Sequence, residues 1–137
     1  MRQKAYALIV EQGQLLLVRY YYPRENAWYW NFPGGTLEPG ESLEEALHRE
    51  MMEECCVEVG VGPMLLREAV PGRGYVRHFF KCQITKGTPC ISDNPATNDS
   101  IGAIEWVPLD NPSYCGEWGR RNFPLVMRAL AAAEANK

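Results

Sequence analysis

The chain opens with two apolar runs, "KAYALIV" and "QLLLVRYYY", separated by "EQG". Runs of this length and composition on either side of a Gly-bearing turn predict two strands joined as a hairpin. "PRENAWYWNFPGG" follows; its Pro, Asn and Gly predict a loop, with a short extended piece ahead of Pro33. From residue 43 the period changes to that of a helix. Ser42 is a good N-cap and Glu45 completes a Ser-x-x-Glu capping box, so a helix is predicted from Leu43 to about Cys56. Further on, "MLLREAV", "YVRHFFKCQI" and "IGAIEWVPL" predict strands, with "PGRG" a turn and "TKGTPCISDNPATNDS" and "DNPSYCGEWGR" loops. "FPLVMRALAAAEA" predicts a closing helix capped by Asn122. No repeat or linker divides the pattern, which reads as a single α/β domain over residues 1–137 with a mixed sheet between helices.

The middle helix breaks the usual rule of amphipathicity. At about 100° per residue, Leu43, Ala46 and Leu47 share one side, with Met51 at its edge. Glu50 and Glu54 continue that apolar stripe, and Glu53 borders it. A surface helix normally keeps its acids opposite the stripe. Buried carboxylates are costly unless cations neutralise them, and one Arg, Arg49, does not balance three acids. A hard divalent metal with oxygen ligands meets the need. A solvated acidic helix end is the other reading of the helix by itself. The preceding "FPGGTLEPGES" adds Gly34 and Gly35, the stiffening Pro33 and Pro39, and two more acids, Glu38 and Glu41.

Composition narrows the picture modestly. The chain has 137 residues, 46% hydrophobic and 23% charged, with a formal net charge of −3. That is an ordinary globular mix, and it argues against bulk nucleic-acid binding. No apolar run approaches the roughly 18–20 residues that span a bilayer. The five cysteines and two histidines meet no zinc-ligand spacing, so reduced, mostly buried thiols in a cytoplasmic protein are expected.

The stretch "GGTLEPGESLEEALHREMMEECCV", read from its second Gly, resembles the Nudix box of the Nudix hydrolase family. That box is a Gly, five residues, Glu, seven residues, Arg-Glu, an aliphatic, any residue, Glu-Glu, any residue, Gly and an aliphatic. Gly35, Glu41, Arg49, Glu50, Met51, Glu53, Glu54 and Val57 match it, and Cys56 stands where the family has Gly. A left-handed Cys costs about 1 kcal/mol, so a bent or extended helix end is expected instead.

The resemblance implies a Nudix-like α/β/α sandwich and hydrolysis of a nucleoside diphosphate linked to another group, with Mg²⁺ or Mn²⁺. It implies Glu50, Glu53 and Glu54 as metal ligands together with the backbone carbonyl of Gly35. Glu50 and Glu53 are the candidates in the box for taking the proton from water. Arg49 orients the acids and Glu41 braces it. Asp99, in the loop after the box, is the first candidate for a further ligand, with Glu105 second.

For the substrate, Arg19, Arg77 and Lys81 are candidate phosphate partners. Trp28, Tyr29, Trp30 and Phe32 either stack a base or cover the core edge. His78, on the strand face opposite Arg77, is expected in the core. A small nucleotide-type substrate is expected, with no membrane or nucleic-acid partner; homodimers are common in the family. The alternative from another class is a non-catalytic module that binds a nucleotide without cutting it. Such modules usually carry an eroded box, whereas every acid of the box is present here.

Overall fold

The structure is a computed structural model that describes residues 2–94 and 99–135. Its strands are β1 (Arg2–Leu8), β2 (Val10–Glu11), β3 (Gln14–Tyr22), β4 (Ala27–Asn31), β5 (Gly34–Thr36), β6 (Glu58–Val70), β7 (Tyr75–Lys86) and β8 (Ile101–Pro108). The helices are α1 (Leu43–Cys55) and α2 (Gly116–Ala135), the second preceded by a 3₁₀ turn at Pro112–Cys115. The strands form two sheets. One is mixed, in the order β5-β1-β7-β6, with β1 parallel to β7; in the other, β3 pairs antiparallel with β2, β4 and β8.

Alternation along β1 and β3 divides the interior. Ala5, Ala7, Leu16 and Val18 meet Ala46, Leu47 and Met51 of α1. Tyr6, Leu8, Leu15 and Leu17 face the other way and meet Phe123, Val126 and Ala129 of α2. Because side chains alternate across a strand, these two strands carry a core on each face. The result is the expected α/β/α sandwich. Leu47 and Met51 are fully buried, each contributing roughly 1.5–3 kcal/mol.

Several local expectations are corrected. The turn at Gln12 and Gly13, both with positive φ, pairs only β2 with β3. The hairpin ends there because β1 joins the other sheet. The short extended piece expected before Pro33 is β4, whereas Gly34–Thr36, expected in the loop, form β5. Strand β6 begins at Glu58, six residues before Met64, where the sequence reading put it. Gly60, Gly62 and Pro63 hid that half of the strand, which passes through register shifts between Val61 and Met64. Helix α2 begins at Gly116, so Asn122 is no cap; it lies inside the helix and donates from Nδ2 to the Trp118 carbonyl at 2.8 Å. A Cβ on Gly119 would stand 2.0 Å from the Pro112 carbonyl, so this glycine serves close packing. Residues 95–98 of the long polar loop lie outside the described residues.

The helix end at Cys56 differs as well. Cys56 itself takes the left-handed conformation, φ 60 and ψ 32, and its N–H reaches the Met51 and Met52 carbonyls. Helix α1 therefore ends as a glycine-capped helix would, with the strain carried by Cys56. Cys56→Gly is expected to stabilise the fold by about 0.5–1 kcal/mol, the αL penalty less the entropy that glycine adds to the unfolded chain. Urea unfolding of the two proteins checks it.

His78 lies in the interior as expected, its Nε2 2.6 Å from Gln3 Oε1. Its Nδ1 is buried and has no hydrogen-bond partner among the described residues. Burial, followed by the charge of Arg67, lowers its pKa below the ordinary 6.5. The unfolded chain therefore takes up this proton first, and His78 costs stability as pH falls below about 6.5. The expected result is that the parent loses more stability than His78→Gln between pH 7 and 5.5, read from paired urea titrations.

Candidate active site

Helix α1 starts as its sequence dictates. Ser42 Oγ accepts from Glu45 N–H and Glu45 Oε1 accepts from Ser42 N–H, both at 3.0 Å. With the start fixed, helical spacing sets where the acids fall. Glu54 is buried at 7% exposure, Glu50 is half-buried, and the Glu53 side chain is 49% exposed. The acidic face thus runs from interior to solvent across one turn, rather than pointing uniformly inward.

The glycines ahead of α1 explain how Glu54 is tolerated. Gly34 has φ 135, and a Cβ there would overlap the Ala5 carbonyl at 2.1 Å. Only glycine fits, and its N–H donates to Glu54 Oε1 at 3.0 Å. The Tyr20 hydroxyl, which donates to the Phe32 carbonyl at 3.5 Å, also favours the charged form of Glu54. Burial, then the charge of Glu50, still pushes the Glu54 carboxyl well above the usual range. Burial also raises Glu50, against the opposing pull of Arg49.

Arg49 is the hub of the remaining acids. Its Nε and one terminal nitrogen grip Glu41 at 2.7 and 2.9 Å. The other terminal nitrogen donates to Glu50 at 2.8 Å and Glu53 at 3.2 Å. This is the planar fork geometry that suits Arg over Lys. Hydrogen bonding by Arg49 lowers the Glu41 carboxyl to about 2.

One guanidinium thus serves four carboxylates, including Glu38 at 3.6 Å, with Glu54 beyond them. The negative excess and all-oxygen donors suit a hard divalent cation. Gly35 fits as well: a Cβ on it would come within 3.2 Å of Glu50 Oε1, so glycine leaves the space beside that carboxylate open. As the side chains stand, no three His, Cys, Asp or Glu groups among the described residues are arranged to hold an ion. Oxygens of Glu50 and Glu53 accept from Arg49, and one of Glu54 accepts from the Gly34 N–H.

The other candidates are dispersed. Asp99 is exposed in the turn before β8, while its neighbour Ser100 lines a hollow with Gly34 and Gly35. Glu105 lies across from Leu17, on the α2 side of the sheet, and accepts from the Tyr114 hydroxyl at 2.6 Å. It is therefore on the face away from α1. Arg77 pairs with Glu68 and lies over the Phe79 ring. Arg19 lies 5.6 Å over the ring of Trp30, which is 8% exposed and packs in the α2-side core.

From Gly34 and Gly35 the hollow runs past Lys4, Tyr6, Tyr22 and Asn31. Those four also line a larger cavity of about 500 Å³ with Arg73, Arg77 and Arg121. Burial, then Arg2 and Arg77, lowers the pKa of Lys4, as expected where cations gather without enough anions. Lys4, Trp118 and Arg121 were missed by the sequence reading. The last two have helical i, i+3 spacing, but the glycines at 116 and 119 concealed the helix.

The chain belongs to the NUDIX family: the NUDIX domain model matches residues 1–126. It is similar to the CTP pyrophosphohydrolase of Escherichia coli (strain K12), 41% identical over 73 residues, covering 53% of this chain and 54% of that protein. The chain spans 65% or less of the length of the first curated relatives it matches. Its fold is similar to that of a NUDIX hydrolase from Nitrosomonas europaea, with a TM-score of 0.71, 25% identity, and coverage of 99% and 90%. It is also similar to the E. coli ORF135 protein, with a TM-score of 0.70, 25% identity, and coverage of 100% and 93%. No helix among the described residues is long and apolar enough to cross a membrane.

Proposed function

We propose that this chain hydrolyses the diphosphate linkage of a nucleoside diphosphate derivative, using Mg²⁺, with Mn²⁺ as a substitute. The observation that carries the reading is the acidic face of α1, where Glu50, Glu53 and Glu54 share one turn and Arg49 pairs with the first two alone. Those three carboxylates and the Gly35 carbonyl would hold the metal. When bound, it would neutralise phosphate oxygens and lower the pKa of a water nucleophile.

The chain's own residues supply the rest. Arg49 holds Glu50 and Glu53 in place while Glu41 holds Arg49. Glu53, at the solvent edge, and Glu50, behind it, are the candidate acceptors of the water proton. Asp99 is a candidate further ligand by its place next to Ser100 at the hollow's rim. Lys4 and Arg77 line the cavity that shares walls with the hollow at Gly34 and Gly35, and suit the anionic substrate. The named activity of the E. coli relative, CTP pyrophosphohydrolase, is of the same reaction class.

The test is a panel of nucleoside triphosphates, nucleotide sugars, ADP-ribose, dinucleoside polyphosphates and capped RNA, with phosphate-bearing products measured with and without Mg²⁺. Magnesium-dependent cleavage of at least one compound is the expected result. Binding without cleavage across the panel would replace hydrolysis with nucleotide sensing.

A further inference from the structure

Helix α1 ends on a strained cysteine that the proposed chemistry does not use. Cys56 holds the left-handed conformation, φ 60, which glycine takes without strain. Among the described residues, Gln12 and Asn26 are the other non-glycines with positive φ, and both lie in turns between strands. Cys56 is half-buried, whereas Cys55 and Cys82 pack in the α1-side core and Cys115 in the α2-side core. A strained residue that does not fill the core points to a use for its side chain.

The segment after β7 supplies that use. It passes directly over the helix end. A Cβ on Gly87 would stand 2.9 Å from the Cys56 carbonyl, and the Cys90 N–H donates to the Cys55 carbonyl at 3.0 Å. That carbonyl belongs to the peptide joining Cys55 to Cys56. With standard backbone dimensions, such a bond holds the α-carbons of Cys56 and Cys90 within about 7 Å, the limit for a disulfide formed without backbone movement. Beyond burial, the groups that act on the Cys56 thiol are Cys90, Asp93 and Ser92, all from this segment. Cys90 is exposed, so a small reagent reaches it from solvent, and both thiols are free. Cys55 is the rival partner, but it is fully buried among the apolar residues under α1.

We propose that Cys56 and Cys90 form a reversible disulfide that staples the C-terminal end of α1 to the segment following β7. The oxidant is a low-molecular-weight disulfide. Cys90 attacks one of its sulfurs and expels a thiol; Cys56 then attacks the Cys90 sulfur and expels the second thiol. The two cysteines lose two hydrogens and the small disulfide gains them. A small dithiol reverses the exchange. The bond closes a loop from residue 56 to residue 90, which removes freedom from the unfolded chain and stabilises the fold. Cys56 lies two residues beyond Glu54, so the staple anchors the helix that carries the acids. The bond itself does not rest on the hydrolase reading.

The test treats the metal-free protein with oxidised glutathione, blocks remaining thiols under denaturing conditions and reads the products by mass spectrometry. In the parent, two of the five thiols are expected to escape blocking, with the tryptic peptides 50–67 and 87–120 linked and dithiothreitol separating them. Cys56→Gly and Cys90→Ser are each expected to abolish the link, and Cys115→Ser to keep it. The oxidised parent is expected to unfold about 5 °C or more above the reduced parent, with no such shift in Cys90→Ser. The proposal is overturned by an unreacted parent, by stable glutathione adducts in place of the link, or by a link that survives in Cys56→Gly or Cys90→Ser. An oxidised parent no more stable than the reduced one overturns it as well.

Discussion

Glu54→Gln is expected to lower kcat by about 100-fold or more, because the proposed metal would lose a charged ligand and with it part of the charge compensation of the phosphate. The fold is expected to survive. Glu54 accepts the Gly34 N–H at 3.0 Å, and a glutamine oxygen accepts it equally well. Removing a carboxylate that burial already disfavours also relieves a desolvation cost. Thermal unfolding within about 3 °C of the parent, alongside the lost rate, separates chemistry from folding. Glu53→Gln, at the exposed end of the same face, is expected to lose rate with even less effect on unfolding. Parent-like turnover in both variants would contradict the site.

Arg49→Gln is expected to have the largest effect on stability of any single change at the site. It removes the partner that Glu41, Glu50 and Glu53 share, leaving acids of 12%, 15% and 49% exposure to repel one another. Stranding partly buried carboxylates in this way costs about 2–3 kcal/mol, below the range for a fully buried pair. For a chain of this size the fall in Tm is about 10 °C. Millimolar Mg²⁺ is expected to return part of that loss, because a cation binding only the folded state stabilises it by mass action. Calorimetry with and without Mg²⁺ checks both statements. A variant that unfolds with the parent would show that the Arg49 network contributes little.

What the sequence disclosed follows from which interactions are local. The α1 start was legible because a capping box lies within four residues, and the hydrogen bonds between Ser42 and Glu45 form as expected. The unusual face was legible because helical spacing alone puts Glu50 and Glu54 in line with Ala46 and Leu47. How deeply each acid sits was not legible. It depends on β1, whose Ala5 carbonyl forces glycine at 34 and so delivers an N–H to Glu54. The division into two sheets was hidden for a similar reason: β1 pairs with β7, some seventy residues away, rather than with its neighbour β3.

Glycine misled in both directions. At 60 and 62 it marked irregular strand and at 116 and 119 a tightly packed helix start, yet all read as loop. That error hid Trp118 and Arg121, and with them part of the wall of the basic cavity. Cys56 shows the reverse. A residue disfavoured at positive φ still takes the family glycine's place, because the Met51 and Met52 carbonyls need its N–H.

The proposed chemistry stands on the acids of α1 binding a divalent metal. Manganese binding followed by electron paramagnetic resonance, on the parent and on the Glu53→Gln, Glu54→Gln double variant, decides whether they do. The parent is expected to take up at least one ion per chain and the double variant none in the same range; equal uptake by both would contradict the claim.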